Sequence, residues 1–136
     1  MLVFDTGIFQ RIMGLDLAEF LLSKKFDAMN KGNMAEQFVG LELIKSESCY
    51  QFASLYYWHR EAKSSNAEVD YVISLSQQIV PIEVKSGTKG AMQNLFLFLK
   101  DKHLEKGIRI SNENFSIYDA IEVYPLYAVE NLRNKS

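Results

Sequence analysis

Apolar residues set a rhythm along the chain, and that rhythm changes twice. Over residues 34–47, Met34, Phe38, Leu41 and Ile44 recur at three- and four-residue steps, which predicts a helix with one buried stripe. Asn30-Lys-Gly-Asn33 reads as the break before it, with Gly32 suited to a turn and Asn33 to an N-cap. From Leu55 the pattern becomes strand-like: an aromatic run over 55–59, then Val- and Ile-rich runs over 69–73 and 79–85, the last two joined as a hairpin through the polar stretch 74–78. Pro81 cannot donate to a ladder, so it belongs near the start of its strand or on a free side. A turn over 86–90 leads to a second helix over 92–104, with Leu95, Phe96, Leu99 and His103 at compatible spacing. Strands over 107–110 and 120–124 follow, and Pro125 opens a closing helical turn through Leu132.

The core order from Asn33 is therefore α-β-β-β-α-β, an α/β chain whose helical crossover implies parallel pairing of the strand after it. Residues 1–31 read as a lead-in, with a strand over 2–4 and one or two short amphipathic helices, and residues 32–136 as the core of the same single domain. No repeat, low-complexity stretch or Pro-, Gly- or Ser-rich linker divides the chain.

Composition narrows the class. With 136 residues, 48% of them hydrophobic, and nine Phe, seven Tyr and one Trp, the chain can fill a core without disulfides. Cys49 is its single cysteine, which excludes an intrachain bridge and fits a cytoplasmic setting. Neither a signal peptide nor a membrane anchor is expected. The net charge of −2 argues against nucleic-acid binding by overall charge alone. Six basic residues (Lys85, Lys89, Lys100, Lys102, Lys106, Arg109) against Asp101 and Glu105 nonetheless give one segment a local balance of +4. Ordinary helix-surface lysine is the plainer reading of it, and a phosphate-facing patch the functional one.

The residues that could carry chemistry sit on the predicted hairpin. Side chains alternate along a strand, so Glu83 and Lys85 share a face while Ile82 and Val84 take the other. If the preceding strand pairs alongside, Asp70 stands about 5 Å away laterally, near enough for two carboxylates to hold one divalent cation. Mg²⁺ or Mn²⁺ between Asp70 and Glu83, with Lys85 acting on water or phosphate, suits phosphodiester hydrolysis. Glu36, on the first helix, reaches the same site if that helix packs across the sheet. An E-x-K triplet alone more commonly marks a solvent-facing ion pair. What favours chemistry is the combination of a helix Glu, an Asp inside an apolar strand and a Glu interrupting another, because buried acids require partners. His59 and His103 lack metal-type spacing. Tyr56, Tyr57 and Trp58 could stack on bases, although packing accounts for at least part of that set.

Glu36, Asp70 and Glu83-Val-Lys85 resemble the helix-Glu, Asp and E-x-K elements of the PD-(D/E)XK nuclease superfamily. The stretches FDTGIF, GNMAEQFVGLEL, LYYWHR, AEVDYVI, VPIEVKSG and VYPLYAVENL resemble, in order and over nearly the whole chain, the C-terminal domain of unknown function of a prokaryotic AAA-type ATPase family. That resemblance implies a restriction-endonuclease-like core, a mixed sheet flanked by helices, from about Gly32. Proteins of that family carry an N-terminal P-loop, yet nothing here fits GxxxxGK[ST], so ATP hydrolysis by this chain is set aside and Met1 reads as the start of a truncated or excerpted homologue. Two functions stay open: a Mg²⁺- or Mn²⁺-dependent nuclease with DNA ahead of RNA as substrate, and a catalytically silent interaction or regulatory module, either of them with a separate ATPase chain as a candidate partner.

Overall fold

The computed structural model describes residues 2–14, 28–61, 66–87 and 92–133. Helix α1 spans Thr6–Ile12 and α2 spans Ala28–Lys45; then come β1 (Tyr56–Arg60), β2 (Ala67–Leu75), β3 (Gln78–Val84), α3 (Gln93–Lys102), β4 (Gly107–Ser111), β5 (Ser116–Tyr118), β6 (Ile121–Pro125) and a 3₁₀ helix over Leu126–Leu132. Among the described residues the strands form one mixed sheet in the order β1-β2-β3-β4-β6-β5. The pairs β1–β2, β2–β3 and β5–β6 are antiparallel, whereas β3–β4 and β4–β6 are parallel. Strands β3 and β4 are joined through α3, so the α/β class and the parallel pairing across the helical crossover both hold.

Each face of the sheet has its own apolar layer. Ala35, Val39 and Leu43 of α2 and Val129 and Leu132 of the 3₁₀ helix pack with Ile73, Val80, Ile82, Val84, Ile108, Ile110 and Tyr124. On the other face Leu95, Phe98 and Leu99 of α3 meet Val69 and Ile121, and Trp58 sets its ring edge-on to Phe98 at 5.0 Å. Strands covered on both faces must be apolar on both, which is why the run over 79–84 carries so few polar residues.

Several expectations need correcting. Helix α2 does not begin at Met34 with Asn33 as its cap; it runs through Gly32 and Asn33 without a break. Of the expected stripe Met34, Phe38, Leu41 and Ile44, Leu41 alone is buried: Phe38 and Ile44 are 36% and 38% exposed, and Ala35, Val39 and Leu43 face the sheet. Two apolar stripes lie side by side on this helix, and the one with smaller side chains wins because the helix approaches the sheet closely. Gly40 shows how closely, since a Cβ there would stand 2.6 Å from the Tyr71 hydroxyl and 2.7 Å from Leu2. Residues 2–4 form no strand; instead the Val3 N–H donates to Gln37 Oε1 at 3.1 Å and the Gln37 amide donates back to the Val3 carbonyl. Strand β5 was not anticipated. Pro125 ends β6 and caps the 3₁₀ helix rather than opening it.

Two details fix the register around the site. The β2–β3 turn is only two residues, Ser76 and Gln77, both at positive φ (48° and 67°), the hairpin geometry whose twist matches its strands. Pro81 pairs with Val72 on the β2 side, and β4 joins β3 only from Ile82 onward, so the missing N–H lies where one side of the strand is free.

Candidate acidic site

Strand β2 breaks its own alternation at Asp70. Tyr56 pairs with Val72 and Trp58 with Val69, so two steps along β1 match three along β2. The extra residue is a β-bulge at Asp70–Tyr71, opposite Tyr57. Val69 and Val72 keep to the α3 side, while Tyr71 packs into the α2-side core. The regular β2–β3 ladder stops at Tyr71 and Ile82, and beyond it the Val84 N–H donates not to a backbone carbonyl but to Asp70 Oδ2, at 2.7 Å. The carboxylate of Asp70 thus stands in the seam where β2 and β3 part.

Glu83 and Lys85 lie on the opposite side of β3 from Ile82 and Val84, as alternation requires. Lys85 Nζ is 2.6 Å from Glu83 Oε1. This is not the solvent-facing pair that an E-x-K triplet commonly marks: the Glu83 side chain is 4% exposed and that of Lys85 37%. The other Glu83 oxygen, Oε2, is buried without a hydrogen-bond partner among the described residues. A buried, half-satisfied carboxylate is costly, so its retention asks for a compensating group.

The four side chains share one electrostatic neighbourhood. Burial pushes Glu36 up from its ordinary 4.5 to about 7, with the negative charge of Asp70 adding to the rise and Lys85 opposing it. Asp70 is raised by burial against the restraining Val84 N–H and Lys85. Glu83 is raised by burial and by Asp70, while its bond to Lys85 works the other way. For Lys85, burial pulls the ammonium down, but the contact with Glu83 and the charges of Glu83, Asp70 and Glu36 outweigh it and hold the group above its usual value. Acids that each favour the proton, beside a strongly cationic lysine, are the signature of negative charge concentrated in a poorly hydrated space.

Glu36 enters from α2. The Tyr71 hydroxyl donates to the Glu36 carbonyl at 2.8 Å, which ties the bulge to the helix. Glu36 and Asp70 then line a pocket of about 430 Å³ together with Asn33, Gln37, Tyr57 and Tyr71, and with Leu2, Phe9 and Met13 of the lead-in segment. Asp5 places that segment by capping α1, accepting from the Gly7 and Ile8 N–H groups at 2.7 and 2.9 Å. Tyr71 and Gln37 went unread in the sequence: a strand tyrosine and a helix glutamine give no signal until the bulge and the Val3 contact are known.

Other candidates disperse. His59 and His103 are exposed, and His59 faces Glu61 and Glu68 at 3.6 and 3.9 Å. Glu68 is an exposed neighbour that adds negative charge to the site. Of the basic segment, Arg109 is 3% exposed within β4, while Lys100 and Lys102 are exposed on α3; Lys89 lies outside the described residues. No three His, Cys, Asp or Glu side chains among the described residues are grouped so as to hold a metal ion, so any ion there would rest on two carboxylates, with solvent or substrate completing its shell.

No helix among the described residues is long and apolar enough to cross a membrane. Residues 31–129, which include all four site residues, match the model of a family described as a domain of unknown function (DUF4143). No curated protein and no solved structure matches the chain.

Proposed function

The chain belongs to the DUF4143 family, and from that premise and the acidic site we propose that it is a nuclease-like module of the PD-(D/E)XK type, hydrolysing phosphodiester bonds of nucleic acid, DNA ahead of RNA, with Mg²⁺ or Mn²⁺. The single observation that carries this reading is Glu83: a carboxylate 4% exposed, one oxygen on Lys85 and the other without a partner, beside an Asp that a bulge has turned into the strand seam.

The residues fit a divalent ion. Asp70 and Glu83 would hold it, the orphaned Glu83 Oε2 offering a ligand and the raised proton affinities of both acids marking a place that wants positive charge. Such an ion supplies polarisation of a phosphoryl oxygen and acidification of water. Lys85, partly open to solvent, would then swing its ammonium from Glu83 toward the phosphate and offset charge developing there. Glu36, which lines the pocket and is pushed up to about 7 by burial, would accept or return a proton. In the cell we place the chain in the cytoplasm, beside an AAA-type ATPase carried on a separate chain.

The Glu83–Lys85 contact itself supports a second reading. It neutralises the buried acid without any metal, so the same site also suits a silent interaction module. Calorimetric titration with Mn²⁺, together with a plasmid-nicking assay, separates the two. The nuclease reading expects binding that is lost in Glu83→Gln and nicking that is lost in Lys85→Met. A wild-type chain that neither binds Mn²⁺ nor cuts single- or double-stranded DNA is the silent module.

A further inference from the structure

The pocket beside the acids is not walled like a phosphate site. Its volume is about 430 Å³, in the lower part of the range of small-molecule pockets. Phe9 and Met13 supply apolar surface to its lining. Tyr57 also lines the pocket and is 78% exposed, whereas the neighbouring Trp58 is packed against Phe98. Asn33 contributes a carboxamide that makes no hydrogen bond to the described residues, hence an uncommitted donor and acceptor in the wall. Glu36 and Asp70 belong to the lining as well, and both feel the charges of the acidic cluster. A flat aromatic surface, apolar walls and an uncommitted amide are what a heteroaromatic ring with a hydrogen-bonding edge requires.

We propose that this pocket takes one unpaired nucleobase, stacked on Tyr57 with its edge toward Asn33, so that the attached phosphate is delivered to Asp70. The assignment rests on the hydrolytic reading of the acidic site and deepens it by naming the substrate class: a single strand, a flap or a frayed end. A base held in a duplex stack cannot enter a walled pocket without leaving its partner. The acids would also attract the cationic side chain of a basic peptide, which can lie over Tyr57 and donate to the Asn33 oxygen; a base uses the amide's donor as well as its acceptor, and a peptide probe separates the two.

Fluorescence anisotropy in EDTA tests the idea apart from cleavage. The probes are a labelled homopolymeric DNA strand, its RNA counterpart, its duplex, a wholly abasic strand of equal length, a mononucleotide competitor and a lysine-rich peptide. Both single strands should bind more tightly than the duplex and the abasic strand, and the mononucleotide should compete. Tyr57→Ala should weaken single-strand binding by about fivefold or more, the loss of one base–aromatic stack, while Tyr57→Phe preserves it. Equal binding of the abasic strand, indifference to Tyr57→Ala, or binding of the peptide alone would overturn the pocket assignment. The two readings fail separately. Base-dependent binding by a chain that never nicks DNA with Mn²⁺ removes hydrolysis and keeps the pocket, whereas nicking unaffected by Tyr57→Ala removes the pocket and keeps hydrolysis.

Discussion

Val84 donates its backbone N–H to the side chain of Asp70, across the seam where β2 and β3 separate, at 2.7 Å. The bond gives the carboxylate a structural duty in addition to any chemical one. It also means that a loss-of-function variant at Asp70 has to be read against stability.

Substitution by Ala should leave the buried Val84 N–H without a partner and cost about 1–3 kcal/mol, the usual penalty for an orphaned donor. Asp70→Asn keeps an acceptor oxygen and removes a charge that raises the proton affinity of Glu36 and Glu83, so it should be much milder. Urea denaturation of the two variants measures the difference. Equal losses in both would mean that the hydrogen bond contributes nothing.

Lys85 poses the complementary question. Removing it as Lys85→Met strands the Glu83 carboxylate in a space that solvent barely reaches. For a fully buried pair the loss would be larger, but Lys85 is 37% exposed, so screening reduces the expectation to roughly 1–3 kcal/mol. Adding Glu83→Gln to Lys85→Met should recover part of it, because no buried charge is then left alone. A double variant less stable than Lys85→Met would show that the ion pair is not what Lys85 contributes.

The two glycines of α2 should respond in opposite directions to alanine. A Cβ at Gly40 would meet the Tyr71 hydroxyl at 2.6 Å and Leu2 at 2.7 Å, so the helix or the bulge must move, at a cost of about 1–3 kcal/mol for overpacking. At Gly32 nothing lies within 4 Å, and within a continuous helix the same change should stabilise by about 0.5–1 kcal/mol. Thermal melts of the two variants also check the course of the helix, for a loss of stability at Gly32 would favour the break that the sequence suggests.

Those glycines illustrate what the sequence could and could not convey. The strands were legible because β-branched runs over 69–73 and 79–84 can satisfy their apolar surface only inside a sheet. The acids at 70 and 83 stood out because they interrupt such runs. The bulge was not legible: alternation assumes one residue per step, and nothing in Val69-Asp-Tyr-Val72 announces the extra one. The choice between the stripes of α2 depended on how close the sheet would come, a tertiary fact carried by Gly40 and Tyr71. Strand β5 is three residues long and partly exposed, too short for periodicity to register.

Acidity offers the sharpest prediction about the site, and its sign follows from Glu36. The group's proton affinity rises on folding, from 4.5 to about 7, chiefly through burial and next through Asp70. A folded state that binds the proton more tightly gains stability that is fully present below about pH 4.5 and is lost as pH rises toward about 7. Asp70 and Glu83 shift the same way and add to the slope, whereas the raised Lys85 acts only above its ordinary 10.5, outside this window. The metal-free chain should therefore melt at progressively lower temperature across the window, and Glu36→Gln should flatten the profile while matching the wild type at its acid end. A divalent ion reverses the trend, because carboxylates bind it only when deprotonated. Millimolar Mn²⁺ should raise the melting temperature at about pH 8 and have no effect at about pH 4.5, with the gain growing as the logarithm of concentration above the dissociation constant. Parallel profiles for wild type and Glu36→Gln would show that Glu36 is not buried among like charges, and an Mn²⁺ effect independent of pH would place the ion on groups other than these acids.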